Sequence, residues 1–246
     1  MELGLNQKTA LVTGASAGLG LACAQALAAE GALVLLSSRS EEKLAKAAAS
    51  IDGAKFVAAD ISSAADRSEL FDQAESMLGQ VDIVIANAGG PPPGNFETTD
   101  VAAYPEAIEL NMMSTISMCK RFIPGMQERG WGRVVAITSL SVRQPMANII
   151  LSNTARAGLT AFLKTTAREV AKDGVTVNSL QPGLHRTDRL TQMYDDLDAL
   201  AANVPAGMIG DPADFGTTCA FLCSDAAKFI TGAAIPLDGG AHAGLM

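Results

Sequence analysis

The feature that most constrains this chain is a glycine-rich turn set between a short apolar run and an alanine-rich helical stretch. Thr13-Gly14-Ala15-Ser16-Ala17-Gly18-Leu19-Gly20 follows the run Thr9 to Val12 and leads into a helical pattern through Ala29. Gly14 permits a tight turn, Gly18 lets a ligand approach the backbone, and Gly20 lets helix and strand pack closely. The helix then opens with free N–H groups and the positive end of its dipole aimed out of the turn, which favours a phosphate there.

The rest of the chain repeats the alternation. Short apolar runs at Leu33 to Leu36, Lys55 to Val57, Ile83 to Ala86, Val134 to Ile137 and Val175 to Leu180 read as strands, with helical patterns between them. The runs are continuous rather than alternating in polarity, as a sheet covered on both faces requires. The expected fold class is α/β: a single Rossmann-type doubly wound parallel sheet with helices on both faces, spanning residues 1–246 as one dinucleotide-binding and catalytic domain. A chain of 246 residues, 48% hydrophobic, is long enough to bury one such core. Ligands in such sheets bind beyond the carboxyl ends of the strands, so the residues that follow strands carry the function.

Composition narrows the partners. A formal charge of −8 argues against nucleic acid, because phosphate-backbone binding is driven by basic patches. Met1 to Lys8 contains no basic region followed by an apolar run, and no apolar stretch approaches the roughly 20 residues that cross a bilayer. The expectation is a cytoplasmic protein without a membrane partner. Cys23, Cys119, Cys219 and Cys223 lie in apolar helical patterns without metal-ligand spacing and are expected to be core thiols, with no metal bound.

Successive strand ends supply a dinucleotide cradle. The second strand ends Ser37-Ser38-Arg39, where an NAD-selective site commonly places a carboxylate on the ribose hydroxyls; the uncharged Ser38 and the guanidinium of Arg39 favour NADP over NAD. Asp60 and Ile61 end the third strand, and Asn87, Ala88 and Gly89 the fourth, where adenine and ribose would lie. The segment 89–95, with three consecutive prolines, reads as a stiff loop over the site, and 181–207 as a mobile lid.

Taken together these residues resemble the short-chain dehydrogenase/reductase family from about Lys8 to Gly240. The resemblance rests on Thr-Gly-x-x-x-Gly-x-Gly at 13 to 20, Asp60, Asn-Ala-Gly at 87 to 89, Asn111, Ser139, Pro182-Gly183, Thr187, and Thr-Gly-x-x-x-x-x-Asp-Gly-Gly from Thr231 to Gly240. It implies hydride transfer between a nicotinamide and a carbonyl or alcohol, with Gly14, Ser16, Gly18, Leu19, Gly20, Pro182, Gly183 and Thr187 among the cofactor contacts. It also implies a distortion of the helix at Asn111 that holds a proton-relay water. It further implies a homo-oligomer, dimer or tetramer, built through the helices of Asn111 and Ser152 and the C-terminal segment, to which the apolar stretch Ile235 to Met246 is suited.

The chain departs from that family at the centre of its mechanism. Where the family carries a tyrosine and, four residues on, a lysine, alignment after Pro145 places Ser152 and Arg156; no tyrosine lies between Tyr104 and Tyr194. An aliphatic hydroxyl is far too weak an acid to replace a phenol directly. Arg156 can still fork onto the nicotinamide ribose. Since a general acid supplies about 10² to 10⁴ in rate, its loss leaves hydride transfer feasible. The proton has three alternative sources: a relay through Ser139 and Ser152 from water, His185, or Tyr194 brought in by the lid; the fourth alternative is no acid at all. The bland readings are cap hydroxyls for the two serines, a main-chain contact for His185 and a surface role for Tyr194.

Two functions follow. One is an NADP-dependent oxidoreductase with Ser139, Ser152, Arg156 and Asn111 at its centre, acting on a small-molecule substrate of 3-oxoacyl or other hydrophobic ketone type. Its apolar pocket would be formed by Gln144 to Ile150 and the lid residues Leu190, Met193 and Leu197. The other is a dinucleotide-binding sensor or structural partner without turnover; the presence of Asn111, Ser139 and Thr187, which serve the reacting end, favours the enzyme.

Overall fold

A computed structural model describes residues 2–245; Met1 and Met246, included in the expected domain, lie outside the described residues. Among the described residues, seven parallel strands form one sheet in the order β3-β2-β1-β4-β5-β6-β7. In chain order the strands are β1 Thr9–Thr13, β2 Leu33–Ser38, β3 Lys55–Ala58, β4 Ile83–Ala86, β5 Gly132–Ile137, β6 Val175–Pro182 and β7 Ala234–Leu237. The helices are α1 Gly18–Ala29, α2 Glu41–Ala49, α3 Ala64–Leu78, α4 Ala103–Ile108, α5 Ser114–Glu128, α6 Ile150–Val170, α7 Asp188–Met193, α8 Leu197–Ala201 and α9 Pro212–Cys223. A π-helical turn, Glu109–Met113, joins α4 to α5.

All six expected strands are present, several of them a residue or two longer than their apolar runs. The seventh is a correction. Ile235 to Leu237, expected within an apolar terminal stretch, lie in β7, paired with β6 through Leu180↔Ile235 and Pro182↔Leu237. β7 is four residues long, half-exposed and contains Pro236, so it carries none of the continuous apolar signal of a buried strand. Proline is tolerated there because β7 is an edge strand, where an N–H facing away from the sheet has no ladder partner to lose.

Strand pleating sends alternate side chains into two cores. Val12, Leu36, Ile83 and Ile85 pack on one face with Cys23 and Leu27 of α1 and Phe215 and Cys219 of α9. Leu11, Leu35, Val84 and Val134 pack on the other with Leu70 of α3, Phe122 of α5 and Leu159 and Leu163 of α6. All four cysteines are free and buried, as core thiols should be.

The chain winds from β1 through β2 to β3, then returns to lay β4 against the opposite edge of β1. That reversal opens a crevice at the carboxyl ends of β1 and β4. Several helices close their own first turns: Ser40 caps α2 through Lys43 N–H, Ser63 caps α3, and Asp211 caps α9 ahead of Pro212. Helix α1, whose N-terminus faces the crevice, has Ala17 at its cap and no side-chain hydrogen bond. Its first-turn N–H groups thus have no side-chain partner.

Close packing of α1 on α9 depends on Gly216, where an added Cβ would strike the Ala22 carbonyl oxygen. Gly216→Ala, a change that favours helix intrinsically, is therefore expected to destabilise the protein by about 1–3 kcal/mol through overpacking. Urea denaturation of the two proteins measures this, and an unchanged or higher midpoint would refute the packing account.

Candidate functional site

The crevice begins at a stitch between β1 and β4. Thr13 Oγ1 donates to the Asn87 carbonyl at 2.8 Å and accepts from Asn87 N–H at 3.0 Å, while Asn87 Nδ2 donates to the Gly14 carbonyl at 3.1 Å. The turn that follows uses left-handed backbone at Gly14 (φ 57°) and Gly18 (φ 58°). A side chain at Gly14 would meet Asn87 Nδ2 at 2.7 Å, and one at Gly20 would strike the Gly14 carbonyl oxygen, so the approach of strand, turn and helix excludes a Cβ at both.

The resulting cleft holds about 980 Å³ and is lined by Gly14, Ser16, Ser38, Arg39, Asp60, Ile61, Ala88 and Gly89, so eight of the residues expected as cofactor contacts share one surface. Others sit behind or beside it. Leu19 packs on the core below the turn, and Pro182 ends β6 opposite Leu237. Gly183 N–H donates to the Leu237 carbonyl at 2.9 Å. From there the chain swings back to the turn: Thr187, at the cap of α7, would lie 3.4 Å from a Cβ on Gly18.

Where β2 and β3 end, the cleft is cationic and partly unsatisfied. Arg39 and Lys43 both line it beside Ser40, and Ser38 Oγ is buried with no hydrogen-bond partner. The Asp60 carboxyl is raised by burial, but this is outweighed by hydrogen bonds from Ser62 and the charge of Arg39, which leave it below the ordinary carboxylate value. Lys43 is absent from the expected set. Its only sequence signal is position, four residues after Arg39 and in the first turn of a helix whose cap, Ser40, faces the same corner.

Asn111, Ser139, Ser152 and Arg156, expected at the reacting end, do not themselves line the cleft; they lie behind its wall of Ala88, Gly89, Leu110 and Leu151. Asn111 lies in the π-helical turn, so the distortion expected at this helix is present. Only 2% exposed, it donates Nδ2–H to the Gly89 carbonyl at 2.8 Å and leaves Oδ1 buried without a partner. Ser139 lies two residues beyond β5, at the cap of a 3-10 turn, and accepts a hydrogen bond from Ser141 N–H at 3.1 Å, which is the cap role, with its own proton still free to donate. Ser152 is buried in the first turn of α6, next to Leu151 in the cleft wall.

The ribose fork expected of Arg156 meets a competing demand. Its guanidinium, 7% exposed, donates Nη1 to the carbonyls of Ile137 (2.9 Å) and Thr138 (3.1 Å) and Nη2 to that of Ala88 (3.3 Å). It thereby ties α6 to the ends of β5 and β4. Burial, assisted by the nearby charge of Arg189, pushes its pKa down to about 10, so it stays cationic at neutral pH.

His185 and Tyr194, the two other expected proton sources, sit in different surroundings. The His185 ring stands edge-on to Phe215 at 5.1 Å, Nδ1 shares a 3.3 Å hydrogen bond with the Gly183 carbonyl, and neither residue lines the cleft. Tyr194 follows α7 and is exposed. Of the expected apolar pocket, Met146 and Met193 are exposed, and the cleft wall is made instead by Leu110, Leu151 and Pro91 to Pro93. The proline loop is held there by Gly94, which bonds to both Asn148 and Ile150 main chains.

The sheet order, the glycine turn and the crevice at the switch point define a dinucleotide-binding α/β protein of the Rossmann class. The model of the family described as Enoyl-(Acyl carrier protein) reductase matches residues 14–242. Acetoacetyl-CoA reductase of Cupriavidus necator is 35% identical over 98% of this chain and 100% of its own. The 3-oxoacyl-[acyl-carrier-protein] reductase FabG of Escherichia coli is 36% identical over 96% of this chain and 97% of its own. Among solved structures, L-sorbose reductase from Gluconobacter frateurii, complexed with NADPH and L-sorbose, superposes with a TM-score of 0.94 at 30% identity, covering 100% of both chains. The chain belongs to the short-chain dehydrogenase/reductase family.

Two consequences can be measured. Arg156→Met leaves three inward carbonyls without their donor and is expected to cost about 3 kcal/mol in chemical denaturation, with Arg156→Lys milder; equal stability of all three proteins would remove Arg156 from the framework. Burial also holds the His185 ring below its ordinary pKa, against the opposing pull of its Gly183 bond and the charges of Asp211 and Asp214 on α9. The unfolded chain therefore takes the proton first as pH falls through about 6.5, and stability drops there. His185→Gln should flatten that part of the pH–stability curve; a drop of the same size in both proteins would sink the assignment.

Proposed function

We propose that this chain is an NADP-dependent reductase of a hydrophobic ketone, of 3-oxoacyl type, and that it protonates the product without a phenol. The observation that carries the cofactor choice is the ribose corner: Arg39 and Lys43 side by side, Ser38 in place of a carboxylate, and a buried Ser38 hydroxyl with no partner. A group with two phosphates fits the uncapped α1 N-terminus, and the cleft is of dinucleotide scale. In this reading Gly14, Ser16, Gly18, Leu19 and Gly20 hold the diphosphate, Ser38 and Arg39 the 2′-phosphate, Asp60 and Ile61 the adenine, and Asn87, Ala88 and Gly89 the riboses. Pro182, Gly183 and Thr187 hold the nicotinamide end, and the segment 181–207, with α7 and α8, closes as a lid over a chain that forms one domain.

Bound NADPH would supply the hydride to the substrate carbonyl carbon. Ser152 and Arg156 stand where the family carries its tyrosine and lysine. Ser139 and Ser152 hydroxyls pass a proton from water to the carbonyl oxygen, and the unpartnered Asn111 Oδ1 holds that water. Arg156 contributes by fixing the β5 end that presents Ser139, and its charge favours negative charge developing on the oxygen. The apolar wall of Leu110, Leu151 and the prolines suits an acyl chain, and the relatives named for acetoacetyl-CoA and 3-oxoacyl carrier protein support that class. Assembly into a dimer or tetramer would use α5, α6 and the open edge of β7.

The test is fluorescence titration with NADPH and NADH, then addition of acetoacetyl-CoA and neutral ketones while NADPH absorbance is followed. NADPH should bind more tightly than NADH, Arg39→Ala should narrow that preference by about tenfold, and a ketone should be consumed. Tight binding with no ketone consumed would replace this reading with the sensor, which the commitment of Arg156 to backbone carbonyls favours. Loss of the NADPH preference in the wild type would remove the 2′-phosphate site.

A further inference from the structure

We infer that Arg189 is a clamp for oxyanions, reaching from α7 across the crevice to the diphosphate of the bound dinucleotide. The inference rests on the NADP reading above and extends it to a residue outside the glycine turn. The Arg189 guanidinium lies flat against Gly90: a Cβ at that glycine would meet Nη1 at 3.0 Å, Nη2 at 3.1 Å and Cζ at 3.4 Å. Gly90 is itself part of the cleft wall, continuous with Ala88 and Gly89. Two residues before Arg189, Thr187 packs on Gly18 of the turn. The start of α7 thus touches one bank of the crevice and its arginine reaches the other.

What Arg189 leaves undone is as informative. Asp188, Asp195, Asp196 and Asp198 lie in the same segment, yet among the described residues Arg189 has no ion pair within 4.0 Å and no side-chain hydrogen bond. The carboxylates that line the cleft do not take it either: Asp60 is held by Ser62, Asp100 accepts from Ala102 N–H, and Glu106 forms no ion pair. On the other side of the same loop, Arg156 donates to the Ala88 carbonyl. The Ala88–Gly90 strip therefore lies between two guanidiniums that feel each other's charge and meet no anion.

A diphosphate supplies the missing charge. The turn from Thr13 to Gly20 contains no cation, and a helix terminus offers the equivalent of about half a positive charge against the two negatives of a diphosphate. A guanidinium is suited to phosphate oxygens because its fork donates two parallel bonds. The same chemistry would serve a carboxylate on the substrate, and the two sources differ in what a variant changes.

The experiment is titration of the full chain, Arg189→Gln and Arg189→Lys with NADPH and with NADH. Both dinucleotides share the diphosphate, so Arg189→Gln should weaken both by about tenfold, leave their ratio unchanged, and make binding less sensitive to salt, with Arg189→Lys recovering part of the loss. Dinucleotide affinities equal to wild type would overturn the inference. If acetoacetate then showed a raised KM relative to its ethyl ester in Arg189→Gln, the oxyanion would be the substrate's. A wild type that binds neither dinucleotide would overturn the NADP reading and this inference together, a result visible before any variant is made.

Discussion

Everything at the functional end of this molecule depends on how β1 and β4 are joined beyond their last ladder bonds. The Thr13 hydroxyl acts as donor to and acceptor from the same residue, Asn87, whose side chain then fastens the Gly14 carbonyl. Three hydrogen bonds at a partly buried position contribute a few kcal/mol at most. Their larger effect is geometric, because they fix the exit angle of two neighbouring strands that diverge to opposite sides of the sheet. The glycine turn and the Ala88–Gly90 strip are therefore held as facing banks of one crevice.

The second constraint is Arg156, a buried cation with no carboxylate partner among the described residues. Desolvating a guanidinium is costly, and the structure offsets it with carbonyls at the carboxyl ends of parallel strands, where lone pairs point outward. A lysine would present one point charge to the same place, while the planar fork of arginine reaches two strands and a loop at once. Arg156 is thus a bracket for the framework that leads into Ser139, and in the proposed mechanism protonation falls to hydroxyls and water.

Much of the fold was legible because a doubly covered parallel sheet writes its strands as unbroken apolar runs, from Thr9 to Val12 through to Val175 to Leu180. β7 was illegible for the complementary reason: an edge strand of four residues with a proline is covered on neither its free edge nor its full length. Strand-end residues such as Ser38, Asp60 and Gly89 could be placed on the cleft because parallel topology puts every strand terminus at the same end of the sheet. Long side chains arriving from elsewhere could not. Lys43 and Arg189 enter from helices, and their destinations are set by helix phase and lid path, which no local pattern encodes. His185 shows the converse, since a residue next to the right strand end turns its ring into the packing under Gly210 and against Phe215.

The polar groups left over at the cleft bear on what the folded state is built to hold. Ser38 Oγ and Asn111 Oδ1 are buried without partners, and α1 presents uncapped N–H groups, while the cap positions of α2, α3 and α9 are satisfied internally. Each unpaired group costs the protein on the order of 1–3 kcal/mol until something bonds to it. In the proposed reading Ser38 Oγ and the α1 turn fall at the 2′-phosphate and diphosphate positions of a bound dinucleotide, with Asn111 behind the cleft wall near its nicotinamide end. Buried atoms elsewhere, such as Ser37 Oγ, Arg133 Nε and Thr176 Oγ1, are unpaired too, so it is the coincidence of Ser38 Oγ with the uncapped α1 turn on one cleft, rather than the number of orphaned atoms, that bears on a ligand.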